Sequence, residues 1–323
     1  LNSTEKLIKA CYSIDSIEPE DTVRKLTGEF LEDVKNNFNQ VIPEMAIDAI
    51  NKLPPFGASW LSLVFGSAIE SGAELNKSRD AVVNLLDSWI SEFPVIAEDA
   101  AELPKLSDKT KIYIEALPLL SRSVVSHVAR TPSLRQRLYY DSEFIIKLEN
   151  TEAYTYTATW IRELLEKNSS DLLIIHVESR RGIKLKYTNV SNCFHLFSLI
   201  QTCVGDKLQN GRTPSEAIYQ AARCLIDENI RDEAWWHYGD PLSSEPNIFG
   251  SIWGEVNVRQ IPVIEGIQII LLWPMIMNNR CWDSGFFGPR IDSAMPNIEI
   301  VQKLEPNEIN PWLEKLKIQP ALI

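Results

Sequence analysis

The chain has 323 residues, 45% of them hydrophobic and 24% charged, which excludes a disordered polar chain and suits one large or two modest folded domains. Its net charge of −12 argues against nucleic acid or an anionic lipid surface as main partner, because both need a concentrated cationic face. Only 13 glycines occur, and just Gly28, Gly57, Gly66 and Gly72 precede residue 170, so the first half is expected to be helical, glycine costing about 1 kcal/mol in a helix interior. In chain order, Val23, Leu26, Phe30, Leu31, Val34 and Phe38 form one helical stripe behind Glu20 and Asp21, whose charges suit a helix N-terminus. A shorter helix is predicted over 43–53, closed by Pro54-Pro55. Ser59 is expected to cap the next, which is apolar nearly all round through Trp60, Leu61, Val64, Phe65 and Ile69 and should lie centrally. Val82, Leu85, Leu86, Trp89 and Ile90 predict a further helix, and Ser107 opens another that Pro118 should kink. Short polar breaks between such segments read as a helical bundle or an α-solenoid-like stack.

From about residue 170 the pattern changes. Residues 172–177 and 183–187 flank a turn and predict a β-hairpin with one wet face. Ser191 is expected to cap a helix through Phe194, Phe197, Ile200 and Val204, and Thr213-Pro214-Ser215-Glu216 reads as a capping box for a helix over 217–226. Strands are predicted over 261–272 and 298–304, and Asn310-Pro311 should start a terminal helix. The expected fold is therefore α+β: an all-helical domain over 1–168, then a smaller α+β domain over 169–323 with an antiparallel sheet.

Five irregularly spaced cysteines without a CxxC pair spell neither a disulfide framework nor a zinc knuckle. No charged stretch leads into an apolar one at the start, and the longest apolar run, 267–277, contains Pro274 and is too short to span a bilayer. A cytoplasmic protein is expected. No phosphate-loop, dinucleotide, zincin or hydrolase-elbow pattern occurs, and no two histidines are spaced as a zinc pair, so neither cofactor nor metal is expected.

Several segments resemble a family of uncharacterised bacterial cytoplasmic proteins. Arg181-Gly182 corresponds to the end of that family's HP-x-x-GRG hairpin, and residues 193–200 (Cys-Phe-His-Leu-Phe-Ser-Leu-Ile) to its NFQLHTLL helix. Ile252-Trp253-Gly254-Glu255 matches an IW-x-E segment, Ile261-Pro262 with 266–274 a strand of the form IP…G-hydrophobic-LL-x-P, and Arg280-Cys281-Trp282 an R-S-W turn. Ala116-Leu117-Pro118 and Ser121-Arg122-Ser123 look alike too. Where the family shows histidine in the helix this chain has Phe197, and where it shows serine before the tryptophan it has Cys281, so a catalytic role at those positions would not carry over. The resemblance implies a shared two-part architecture and no known activity.

Two readings follow for function. Late tryptophans crowd beside loop glycines, and tryptophan and arginine dominate interface hot spots. The first reading is thus a non-catalytic protein that binds a peptide or protein segment in an aromatic-lined groove near the domain junction, using Trp235, Trp236, Tyr238, Trp253, Trp282, Arg280 and Arg290. The alternative is an enzyme of unfamiliar type, acting on a peptide or small molecule with His237 as general base, Asp240 orienting it, and Asp283 and Cys281 nearby. A plainer account of the same tryptophans is that they plug the gap between the two domains with their polar tips bonded to backbone, since large aromatics usually bury.

Overall fold

A computed structural model describes residues 2–75, 77–97, 101–223, 230–232, 234–276, 280–282 and 291–318, and of 230–232 and 280–282 the backbone alone. The chain forms two units, Leu1–Leu165 with Gly288–Ala294, and Glu166–Phe287 with Met295–Ile323.

The first unit is helical. It comprises α1 (Ser3–Cys11), α2 (Asp21–Asn36), α3 (Glu44–Ala49), α4 (Pro55–Glu70), α5 (Ser78–Ile90), α6 (Asp108–Ala129), α7 (Pro132–Tyr140), α8 (Ser142–Glu152) and α9 (Thr159–Glu166, whose last residue belongs to the second unit). The Pro54-Pro55 pair opens α4 rather than merely closing the helix before it: Pro55 occupies the first turn, where no N–H is needed. Ser59 therefore sits inside the helix, its hydroxyl donating to the Phe56 carbonyl at 3.0 Å. α4 is buried nearly all round and crosses α6 closely, because Gly66 lets the Ser123 backbone approach and the Ser123 hydroxyl donates to the Ser62 carbonyl. α6 runs on through Pro118, starting from Ser107, whose side chain accepts the Thr110 N–H at 3.1 Å. The turn residues Asp292–Ala294 also pack against α6, with Ala294 buried.

Gly57 marks another close approach. A Cβ there would lie 2.0 Å from the Cys11 carbonyl oxygen and 2.9 Å from its carbon, both backbone atoms of α1. Gly57→Ala is therefore expected to push α1 off α4 and destabilise the first unit by about 2–3 kcal/mol. Gly28→Ala, on the exposed side of α2 with no atom within 4 Å, should stabilise by about 0.5–1 kcal/mol. Thermal melts of the two variants check this; a neutral Gly57→Ala would show that α1 is not held against α4.

The second unit holds β1 (Asn168–His176), β2 (Arg181–Val190), α10 (Cys193–Val204), α11 (Glu216–Ala222), β3 (Ile230–Asp232), β4 (His237–Gly239), β5 (Val263–Ile264), β6 (Ile267–Trp273), β7 (Arg280–Trp282), β8 (Asn297–Leu304) and α12 (Pro306–Lys315). The main sheet runs β4-β6-β1-β2-β8, with β5 also on β6, and β3 pairs β7 separately. The fold is α+β as expected, but the sheet is mixed rather than antiparallel, since β1 and β6 pair in parallel from Leu172↔Gln268 to His176↔Leu272. β5 and β6 are two strands where one was predicted, folded back at Glu265-Gly266, whose φ values of 53° and 81° are those of a tight hairpin turn.

The expected wet face holds for β2 alone. On one face Leu172, Ile174, Ile183, Leu185, Tyr187, Ile270 and Leu272 bury against Leu196, Phe197 and Ile200 of α10. On the other, Leu173, Ile175, Ile269 and Leu271 bury against Ile309 and Leu313 of α12. β1 is thus covered on both sides, which explains its continuous apolar run. Helix starts shifted as well. Asn192, not Ser191, caps α10, accepting from the His195 N–H at 2.9 Å. Ser215, not Thr213, caps α11, and α12 begins a turn early at a Glu305/Glu308 capping box, leaving Pro311 inside it. Of the helix predicted over 217–226, residues 224–226 lie outside the described residues.

Candidate functional site

The aromatic cluster predicted around residue 236 lies mostly in the core of the second unit. β4 pairs with β6 as His237↔Trp273, Tyr238↔Leu272 and Gly239↔Leu271, so successive side chains alternate between the two faces of the sheet. Tyr238 points to the α10 face and is fully buried, stacked on Phe197 with ring centroids 3.8 Å apart, its hydroxyl donating to the Gln201 side chain at 3.4 Å. Trp236 is also fully buried, and its indole N–H donates to the Gln209 carbonyl at 2.8 Å. Trp235 meets it edge-on at 5.4 Å and is buried too. Trp235, Trp236 and Tyr238 are therefore core side chains with no accessible face for a ligand, a correction to the groove they were expected to line. The cause is their position just before and within a strand whose both faces are covered.

His237 and Asp240 have separate employments. The His237 ring is buried with Nε2 3.4 Å from the Ser251 hydroxyl. The Asp240 carboxylate accepts the Leu242 N–H at 2.7 Å, closing a local turn. Of the remaining expected residues, Arg280, Cys281 and Trp282 sit on β7, opposite Asp232, Arg231 and Ile230 of β3. Their side chains, like Asp283 and Arg290 altogether, lie outside the described residues.

Among what the second unit presents outward is the loop that follows β4. Phe249 is 100% exposed, Leu242 75% and Trp253 44%, with Ile248 exposed beside them. The loop is held by its own hydrogen bonds. The Asp240 N–H donates to the Gly250 carbonyl at 2.8 Å, the Ser243 N–H to the Asp240 carbonyl at 3.0 Å, and the Ile252 N–H to the Tyr238 carbonyl at 2.9 Å. The Asn247 side chain accepts the Gly250 N–H at 2.8 Å. Glycine is required at 250, where a Cβ would come within 2.2 Å of the Ser243 hydroxyl. At its far end Gly254 packs face-on to the Phe194 ring, a Cβ there falling 2.1 Å from it, and its carbonyl accepts the Phe194 N–H at 2.8 Å. The loop is thus anchored both to β4 and to the start of α10. Between 240 and 258 the chain carries Asp240, Glu245 and Glu255 and no lysine or arginine.

Sequence reasoning named Trp253 and missed Leu242, Ile248 and Phe249. The available signal was large apolar residues in a stretch rich in Ser, Pro, Glu and Asn with neither a 3.6 nor a 2 period, where no core face claims them.

The other histidines are structural. In α6 the His127 Nδ1–H donates to the Ser123 carbonyl at 2.7 Å, while Nε2 lies 3.2 Å from the Ser78 hydroxyl. His195 Nε2–H donates to the Ala222 carbonyl at 3.0 Å. His176 Nδ1 accepts the Ser179 N–H at 3.2 Å, which puts its proton on Nε2. Burial pushes each of the three down to about 4, so all are neutral at pH 7. Among the described residues no group of three or more His, Cys, Asp or Glu side chains is placed to hold a metal ion, and no helix is long and apolar enough to cross a membrane. Comparison of the chain with protein-family models, curated proteins and solved structures found no match.

Proposed function

We propose that this chain is a non-catalytic protein-binding protein that grips its partner with the 240–253 loop of its second unit. One observation carries the reading: Phe249, wholly exposed, stands on a backbone pinned by hydrogen bonds at both ends. Leaving a phenylalanine in water forgoes about 2–3 kcal/mol of burial. A loop ordered in advance also spares the partner the entropy of ordering it. Phe249 and Trp253 are the anchors, with Leu242 and Ile248 at their flank.

Charge favours a protein over the other surfaces that take up aromatic loops. Three carboxylates and no cation over 240–258 repel an anionic lipid surface and a phosphate backbone alike. A cytoplasmic location suits the free thiols Cys11, Cys193 and Cys203, and kinship with the bacterial family rests on the segments quoted above.

Affinity capture from the cells that make the protein tests the reading, with wild type compared with Phe249→Ser and Trp253→Ser. Both side chains are exposed, so the fold should be untouched. At least one captured protein should fall about tenfold or more in recovery with each variant. An unchanged set of captured proteins would remove the loop from any role in binding.

A further inference from the structure

α1 and α3 of the first unit lie against one another and leave a groove of about 550 Å³ on their outer side. Its apolar lining is Ile8 of α1 with Tyr12 at that helix's C-cap, and Met45 and Ala49 of α3, with Tyr12 and Met45 exposed. The charged lining is Glu5 and Lys9 on one wall, Asp48 and Lys52 on the other. Both walls follow the same sequence spacing, i, i+3, i+4 and i+7, along α1 and its C-cap on one side and along α3 and the 3-10 turn Ile50–Lys52 that continues it on the other. Both also run acid then base in the chain direction, four residues apart. Among the described residues Lys9, Asp48 and Lys52 form no salt bridge within the chain, and Asp48 lies in the field of Lys77, which is itself paired with Glu44.

We propose that a second copy of the chain fills this groove, α1 of one copy lying antiparallel along α3 of the other, with a two-fold axis repeating the contact. Antiparallel packing sets Glu5 against Lys52 of the second copy and Lys9 against its Asp48, so each acid meets a base, while Tyr12 meets Met45 at the far end of the stripe. Tyr12, Ile8 and Met45 leave water together along the seam. The same pattern on both walls makes the groove its own complement, the requirement of an isologous interface. A foreign amphipathic helix could match one wall by chance; a second copy matches both by symmetry.

Sedimentation of the full chain from about 1 to 200 µM tests this, with wild type, Met45→Glu, Lys9→Glu and the double variant Lys9→Glu/Asp48→Lys. The changed side chains line an open groove, and an unshifted melting temperature verifies that each variant folds. Wild type should pass from monomer to dimer with rising concentration. Met45→Glu and Lys9→Glu should each weaken the dimer about tenfold, and the double variant, which swaps the signs across the seam, should recover most of the loss. A wild type monomeric throughout, a dimer indifferent to Met45→Glu, or a double variant no better than Lys9→Glu would overturn the proposal.

Discussion

Trp236→Ala should destabilise the second unit by about 3–5 kcal/mol, whereas Trp253→Ala should change its stability by no more than about 0.5 kcal/mol. The two tryptophans were equivalent as sequence features, both late and both near loop glycines. In the structure Trp236 is fully buried and its indole N–H satisfies the Gln209 carbonyl. Removing it opens a cavity and takes the indole donor from the Gln209 carbonyl. Trp253 stands half in water on the exposed loop, so its loss removes little that the fold depends on. Urea denaturation followed by circular dichroism measures both. Equal losses would mean that Trp253 belongs to the core as much as Trp236 does, and would take the loop's second anchor away.

The second large effect is acid destabilisation carried by histidines. His127, His176 and His195 are held down to about 4 by burial, against about 6.5 in an unfolded chain. Below that value the unfolded state takes up protons that the folded state refuses. The stability these residues give is therefore complete above about pH 6.5 and lost progressively as pH falls toward 4. Each histidine contributes a slope of about 1.4 kcal/mol per pH unit within that window. The first unit holds His127, and the second holds His176 and His195, so acidification should weaken the second unit more steeply than the first. Urea midpoints at pH 7, 6 and 5, read separately for the two units through domain-specific probes, check this. Midpoints that stay level from pH 7 to 5 would show that these imidazoles are open to protonation in the folded chain.

Legibility in the sequence followed the period of burial. α2, α4, α5 and α6 each bury one stripe or the whole circumference, so their apolar spacing announced them. α1 escaped because it is short and only Leu7 and Cys11 bury as apolar side chains, although Asn2 and Glu5 form a capping box that reads directly from the sequence. Proline misled where its position in the helix was ambiguous: Pro55 could end one helix or begin the next, and its missing N–H is harmless only in the second role. The parallel pairing of β1 with β6 joins residues about 95 apart, and nothing local to either strand specifies it.

The proposed binding surface was the least legible part, for a related reason. A strand of three residues, β4, is too short to display alternation, so Tyr238 and the tryptophans before it looked like candidates for a recess when they are covered on both sides. Phe249 and Ile248 carried no periodic pattern at all, and a loop's exposure depends on how its backbone closes on itself. Here that closure is made by Asp240, Asn247 and Ser243, ordinary turn residues whose joint effect appears only in three dimensions.

The most direct test of the loop as the binding surface is photo-cross-linking inside the cells that produce the protein, with a photoreactive phenylalanine at 249 and, for comparison, at Tyr140, an exposed aromatic of the first unit. The account predicts discrete adducts of one or a few proteins from position 249 and none of these from position 140. No adduct from 249, or the same adducts from both positions, would contradict it.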